Sequence, residues 1–130
     1  MVDLCRDQGV GIIPWSPLAR GRLARGPEAA KTTARTETDA FGNTLYASVL
    51  DADRQVLAAL DAVARTRKLA HAQVALAWLS QKAGVTAPIV GATQMHHLED
   101  AVASLSVKLS GEEVKALEAN YRPHPVAGFR

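Results

Sequence analysis

Four residues, Val10-Gly11-Ile12-Ile13, stand between Gly9 and Pro14, and this bounded apolar run limits the fold more than any other stretch of the chain. It is too short for a stable helix and reads as a buried strand. Gly9 can end a preceding helix in the left-handed conformation, and Pro14 and Pro17 have no N–H to give to a ladder. The chain must therefore leave the sheet near Trp15. The exit loop, Trp15 to Leu23, carries the Ser16 hydroxyl, a glycine at Gly21 that permits close backbone approach, and the guanidinium groups of Arg20 and Arg22. Ligands of α/β folds sit at the ends of such strands, and these donors suit an anion such as a pyrophosphate. A surface turn with two solvated arginines fits the same residues.

The remaining elements alternate. Val2 to Gln8 reads as the end of a helix with Leu4 and Cys5 facing inward. Residues 24–50, rich in Thr, Ala and charge, with a turn at Phe41-Gly42-Asn43, read as a variable, mobile cover. Asp51 or Asp53 caps the next helix, whose stripe is Val56, Leu57, Leu60, Val63 and Ala64, and Arg65, Arg67 and Lys68 suit the negative end of its dipole. A helix over about His71 to Lys82 is apolar almost all round (Val74, Leu76, Trp78, Leu79) and is closed by Gly84. Ala87-Pro88-Ile89-Val90 reads as a second buried strand. Gly91-Ala92-Thr93 then leads into a helix, with Thr93 as N-cap and Met95, Leu98, Ala101, Val102 and Leu105 on one face. A strand, a glycine turn and a helix N-terminus in that order make an anion site even without a basic side chain. Ser110-Gly111-Glu112-Glu113 is a capping box, with Leu109 and Val114 as its staple, opening a helix through Leu117. The tail from Tyr121 to Arg130 has no period.

Composition excludes several classes. With 130 residues, 48% hydrophobic and 22% charged, the chain reads as one folded domain. No apolar stretch approaches the roughly 20 residues of a membrane span, and no signal-type segment follows Met1, so the expected setting is cytoplasmic. Cys5 is the only cysteine, which rules out an internal disulfide and a multi-cysteine metal site. A net charge of +2 is too small to argue for nucleic acid. Arg20, Arg22, Arg25, Lys31 and Arg35 face only Glu28 between positions 20 and 35, without interleaved aromatics, which suits a small anion or a solvated loop. His96 and His97 are neighbours that point about 100° apart on a helix, so no metal is expected from them. Trp78 reads as core, as does Trp15 taken alone. Asp51 and Asp53 read as caps, Glu112 and Glu113 as complements of a helix dipole, and His71 and His124 show no identifiable partner.

Four motifs in order also carry a resemblance: Trp15 to Leu23, Ala72-Gln73-Val74-Ala75-Leu76-Ala77-Trp78-Leu79, Pro88 to Thr93 with Leu98-Glu99-Asp100-Ala101, and Leu109-Ser110 with Leu117-Glu118. Together they resemble the C-terminal part of the aldo-keto reductases. The resemblance implies an α/β fold, the portion of a (β/α)8 TIM barrel around strands seven and eight with their helices and a C-terminal helix, spanning 1–130 as one partial barrel domain. It implies NADP(H), with NAD(H) as the alternative, and reduction of aldehydes or ketones by hydride transfer. By the same resemblance Trp15 stacks on the nicotinamide, Ser16, Leu18, Arg20 and Gly21 hold the pyrophosphate, and Gly91, Ala92, Thr93, Gln94, His97 and Asp100 hold the 2′-phosphate and adenine. The sequence departs from the family at Gln94, where Arg or Lys is frequent, at Ala101, where Asn is common, and at His71, where proline is common. A protonated His97 can replace the charge that Gln94 lacks.

The family's catalytic Asp, Tyr, Lys and His belong to the first half of the barrel, and neither Tyr46 nor Tyr121 stands in that context. The expectation is therefore a truncated product or a piece of a longer reductase, inactive alone, that binds the dinucleotide and meets a carbonyl substrate only in the full-length context. Two parallel strands leave both edges and the side chains of Ile12, Ile13, Ile89 and Val90 without partners, which predicts self-association or pairing with the missing barrel half. The alternative is a non-catalytic remnant, or an oligomeric nucleotide-binding or interaction module.

Overall fold

The computed structural model describes residues 1–26 and 51–123. Helix α1, Val2–Asp7, ends as its sequence predicts. Gly9, at φ 64°, lets its own N–H reach Arg6 O (3.4 Å) and the Val10 N–H reach Cys5 O (2.8 Å). This is the paired closure of a Schellman end, which needs a left-handed residue at Gly9. The inward face expected of α1 is only partly realised, since Cys5 is half-buried whereas Leu4 is exposed.

The two expected strands reduce, among the described residues, to a single parallel bridge between Ile12 and Val85. Three backbone bonds support it: Ile12 N–H to Gly84 O at 3.2 Å, Thr86 N–H to Ile12 O at 2.8 Å and Ile89 N–H to Pro14 O at 2.9 Å. The second segment therefore engages from Gly84, ahead of the expected start at Ala87. Pro14 and Pro88 cannot donate, and a parallel pair is stable only when both faces are covered. Here Ile13 and Ile89 stay more than half exposed, so the pairing does not extend into a ladder. Gly11 permits the close pairing, because a Cβ on it would stand too close to Thr86 Oγ1 and force that side chain to turn.

Among the described residues four further helices carry the packing: α2 (Asp51–Arg67), α3 (His71–Ser80), α4 (Met95–Ser104) and α5 (Gly111–Glu118). Helix α3 lies between α2 and α4, and α5 rests on α2. Leu60, Val63 and Ala64 of α2 recur at helical spacing and meet Val74 and Ala75 of α3 and Leu117 of α5 in one core. Leu18, Leu23, Leu69, Trp78 and Leu109 close its margin. The near-continuous apolarity of α3 is matched by full burial of Val74 through Ala77. Lys68, at φ 54°, ends α2 in the same manner as Gly9 ends α1, with Lys68 N–H on Arg65 O and Leu69 N–H on Ala64 O. The capping box forms as read: Ser110 Oγ accepts from Glu113 N–H, and the Glu113 carboxylate accepts from Ser110 N–H at 2.7 Å.

Helix α4 corrects two expectations. Its N-cap is Gln94, in extended conformation, and not Thr93. Its apolar stripe exists, but Met95, Leu98, Val102 and Leu105 face outward at 50–70% exposure. The helix leans on α3 through the other side, where Ser104 is buried and Asp100 and Ala101 are half-buried. Ser104 is accommodated there because its Oγ donates to Ala101 O at 2.6 Å. The turn at Phe41-Gly42-Asn43, nearly all of the 24–50 segment, Tyr46 and His124 lie outside the described residues.

Candidate functional site

The loop leaving Pro14 is folded tightly and against backbone preference. Ser16 (φ 49°), Ala19 (φ 47°) and Arg20 (φ 55°) all take the left-handed conformation without being glycine, and Gly21 follows at φ 89°. Each such residue costs on the order of 1–3 kcal/mol, and strain of this kind persists only where surrounding contacts hold it. The contacts are visible. Leu18 and Leu23 pack on the core, a 3-10 turn spans Ala19–Gly21, and the N–H groups of Gly21 and Leu23 both reach Leu18 O, at 2.9 and 3.2 Å. Arg25 Nε also donates to Gly21 O at 3.0 Å. Trp15 is 59% exposed, and the Arg20 guanidinium sits 5.9 Å from its ring centroid. The loop therefore joins a flat indole, a cation over it and a hydroxyl at Ser16.

The second cluster follows Ile89. Nothing stands within 4 Å of the position a Cβ would take on Gly91, so the turn there is open. Ala92 and Thr93 are exposed, Gln94 caps α4, and Thr93 Oγ1 lies 3.4 Å from His97 Nδ1. That contact leaves Nε2 as the ring nitrogen turned away from Thr93. The His96 and His97 rings meet edge to face at 4.3 Å, and among the described residues no group of three or more His, Cys, Asp or Glu is placed to hold a metal. Asp100 is half-buried, with Oδ1 accepting from Gln73 Nε2 at 2.9 Å.

The parallel pairing relates the two clusters. Because Ile89 N–H bonds to Pro14 O, the turn that begins at Trp15 and the turn that begins at Gly91 leave the paired segments at the same end, on adjacent chains. The groove lined by Val2, Arg6, Ile12, Pro14, Leu79 and Lys82 contains none of the expected cofactor-binding residues.

Several polar side chains that the sequence left without a role acquire one. His71 has a partner after all: its Nε2 is 3.0 Å from Asp61 Oδ1, while Arg65 Nε holds Asp61 Oδ2 at 2.9 Å. The His71 hydrogen bond, followed by Arg65, holds the Asp61 carboxyl below the usual carboxylate range. Gln73 was read only as part of a motif, yet its Oε1 accepts from Ala70 N–H at 3.1 Å while its amide donates to Asp100. At the far margin, Trp78 Nε1 donates to Glu118 Oε1 at 2.7 Å, and Lys82 pairs with the same carboxylate while lying 4.8 Å over the indole. Lys82, then Trp78, keep Glu118 below its ordinary value. Trp78 is thus packed at the core margin with its polar edge satisfied. The links His71–Asp61, Gln73–Asp100 and Trp78–Glu118 join residues 10 to 40 positions apart on different helices, and only the complementary donor and acceptor types could have signalled them.

Known proteins resemble this arrangement. The model of the Aldo/keto reductase family matches residues 1–122. An aldo-keto reductase of Fusarium vanettenii is 38% identical over 128 residues, covering 98% of this chain and 34% of that protein. The versiconal hemiacetal acetate reductase of Aspergillus parasiticus is 41% identical over 128 residues, covering 97% and 36%. Among solved structures, a thermostable aldo-keto reductase in complex with the inhibitor epalrestat superposes with a TM-score of 0.60 at 23% identity, over 92% of this chain and 33% of that one. The chain spans about a third of the length of these curated relatives. The structural likeness supports the (β/α)8 class for the fold, and no helix among the described residues is long and apolar enough to cross a membrane.

Proposed function

The chain belongs to the aldo/keto reductase family, and from that premise we propose that it forms the part of a reductase that holds a nicotinamide dinucleotide, around barrel strands seven and eight. The observation that carries this is the bond from Ile89 N–H to Pro14 O, which brings the exits toward Trp15 and Gly91 to one end of the paired segments. The residues fit the group. Trp15 offers an indole face to the nicotinamide, and Ser16, Leu18, Arg20 and Gly21 form a strained, preorganised cradle for the pyrophosphate. Gly91, Ala92 and Thr93 give an open turn ahead of the α4 N-terminus, whose backbone N–H groups favour a phosphate. Gln94 and His97 flank the 2′-phosphate, and Asp100 meets the adenine, whose 6-amino group is a donor for a carboxylate. NADP(H) is the proposed cofactor and NAD(H) the alternative, because Gln94 hydrogen-bonds a phosphate without neutralising it.

When bound, the dinucleotide would supply a hydride to an aldehyde or ketone. None of the residues assigned here is a proton donor to that carbonyl, so the chain is proposed to furnish the cofactor side of the reaction and to be inactive by itself. Fluorescence titration of the chain with NADPH tests the assignment. Binding tighter than about 1 mM, or about 4 kcal/mol, is expected. Weaker binding would leave the second reading, an interaction module, which the exposed stripe of Met95, Leu98, Val102 and Leu105 favours. Arg20→Ala is expected to weaken NADPH about tenfold, the worth of one charge-assisted hydrogen bond.

A further inference from the structure

The first residue of α3 does not have to be a histidine for the helix to form. Ala70 is at φ −66° and ψ 146°, the extended geometry that a residue before proline adopts, and His71 N–H makes no backbone hydrogen bond. Proline would suit this position, since the first helical residue gives up nothing by lacking an N–H. His71 instead places an imidazole where it reaches back to α2. It is 23% exposed at the side chain and Asp61 16%, against 76% for Arg65, so the imidazole–carboxylate contact is the sheltered part of the cluster. The chain at Gly26 passes beside that contact: a Cβ added to Gly26 would be in van der Waals range, 3.6 Å from Asp61 Oδ1 and from both Cε1 and Nε2 of His71.

We propose that His71 is a positioning residue, forming with Asp61 a latch beside the backbone at Gly26 that holds the loop of residues 16–26 in its strained form. The ionised Asp61 accepts from Nε2–H of His71 and from Arg65, so its two oxygens are divided between α3 and its own helix. Leu18 and Leu23 anchor the middle of the loop in the core, and the latch fixes the end from which the chain continues. The inference rests on the reading that this loop cradles the anionic part of the dinucleotide. In that role His71 touches neither cofactor nor substrate and acts through the shape of the loop.

Amide hydrogen exchange of the whole chain tests it, read at Leu23 and Ala24, whose N–H groups bond to Leu18 O and Gly21 O. In His71→Pro the helix start is retained and the imidazole is lost. Exchange at these two amides should accelerate about tenfold relative to the buried amides of α3, because the loop opens locally and not with the core. The dissociation constant for NADPH should rise several-fold in parallel. His71→Gln, whose side-chain amide can donate to Asp61, should restore both. Unchanged exchange at Leu23 and Ala24 in His71→Pro, or acceleration shared equally by α3, overturns the proposal. If His71→Pro does not fold, Asp61→Leu is read at the same amides with the same two outcomes. Should the wild-type chain fail to bind NADPH, the dinucleotide reading falls, while the exchange comparison in the free chain still decides the latch.

Discussion

Gln73→Leu separates a built adenine site from a fortuitous one. The Gln73 amide cannot flip, because its Oε1 is committed to Ala70 N–H at 3.1 Å and its Nε2 to Asp100 Oδ1 at 2.9 Å. One carboxylate oxygen of Asp100 is therefore held, and the other is presented before a ligand arrives. Leucine keeps the bulk of the side chain and removes both bonds. Ala70 is exposed, so water replaces the lost acceptor there at small cost. Asp100 is the group that suffers. A hydrogen bond to a charged acceptor is worth about 1.5–3 kcal/mol when sheltered, and ordering a side chain on binding costs about 0.5–1.5 kcal/mol. Only the ordering cost falls on binding, so the loss is about 1 kcal/mol, close to fivefold in affinity. The assay is fluorescence titration with NADPH and with its hypoxanthine analogue, which carries a carbonyl in place of the adenine amino group. Gln73→Leu should weaken NADPH about fivefold and the analogue less than about twofold. Equal weakening of both ligands, or of neither, refutes the role given to Asp100 and Gln73.

Lys68 occupies a left-handed position at the end of α2 that costs a non-glycine residue about 1 kcal/mol, so Lys68→Gly should stabilise the chain by about that amount in urea unfolding. Ser110→Ala removes the acceptor for Glu113 N–H and should destabilise by about 1 kcal/mol in the same assay. Glu113 is held below its ordinary value by the Ser110 N–H and then Arg67, as Asp61 is by His71 and Glu118 by Lys82. Depressed carboxylates contribute stability that is fully present above their unfolded values, near pH 4, and is lost as pH falls through their lower folded values. The melting temperature should therefore drop on acidification below about pH 4.5, and Glu118→Gln should flatten that dependence. Leu98→Lys with Val102→Lys places two charges on the outward stripe of α4 and should reduce self-association in sedimentation velocity; an unchanged distribution would show that the stripe is not a contact.

Local signals were legible in the chain and tertiary pairings were not. Gly9, the capping box at Ser110 and the stripe of α2 act through the backbone within a turn or two, and all three stand where the residues put them. The stripe on α4 was legible as a stripe, but a 3.6-residue period says which residues share a face and nothing about which face is covered. Asp100 marks the covered side through its bond to Gln73 of α3, and Ser104 is buried there. The two apolar runs announced strands, yet a strand is made by its neighbours, and each run has one parallel partner and no other among the described residues. His71 and Gln73 were opaque for a related reason. Their partners lie on other helices, 10 and 27 residues away, where no local rule reaches. The loop after Pro14 was legible as a turn away from the paired segments, while its three left-handed residues carry no sequence signature, since Ser16, Ala19 and Arg20 are not residues that favour such geometry.

The close approach of Gly11 to Thr86 sets a length standard for the site. Three hydrogen bonds alone would tolerate slippage of one segment along the other, because a parallel pair repeats its pattern every two residues. A slip of two residues that brought Ile13 opposite Thr86 would set a Cβ where one on Gly11 would already stand too close to Thr86 Oγ1. That missing methyl group works as a ruler. It opposes displacement of the Trp15 exit past the Gly91 exit in that direction, and an error of one two-residue step, about 6.6 Å, exceeds what a hydrogen bond absorbs.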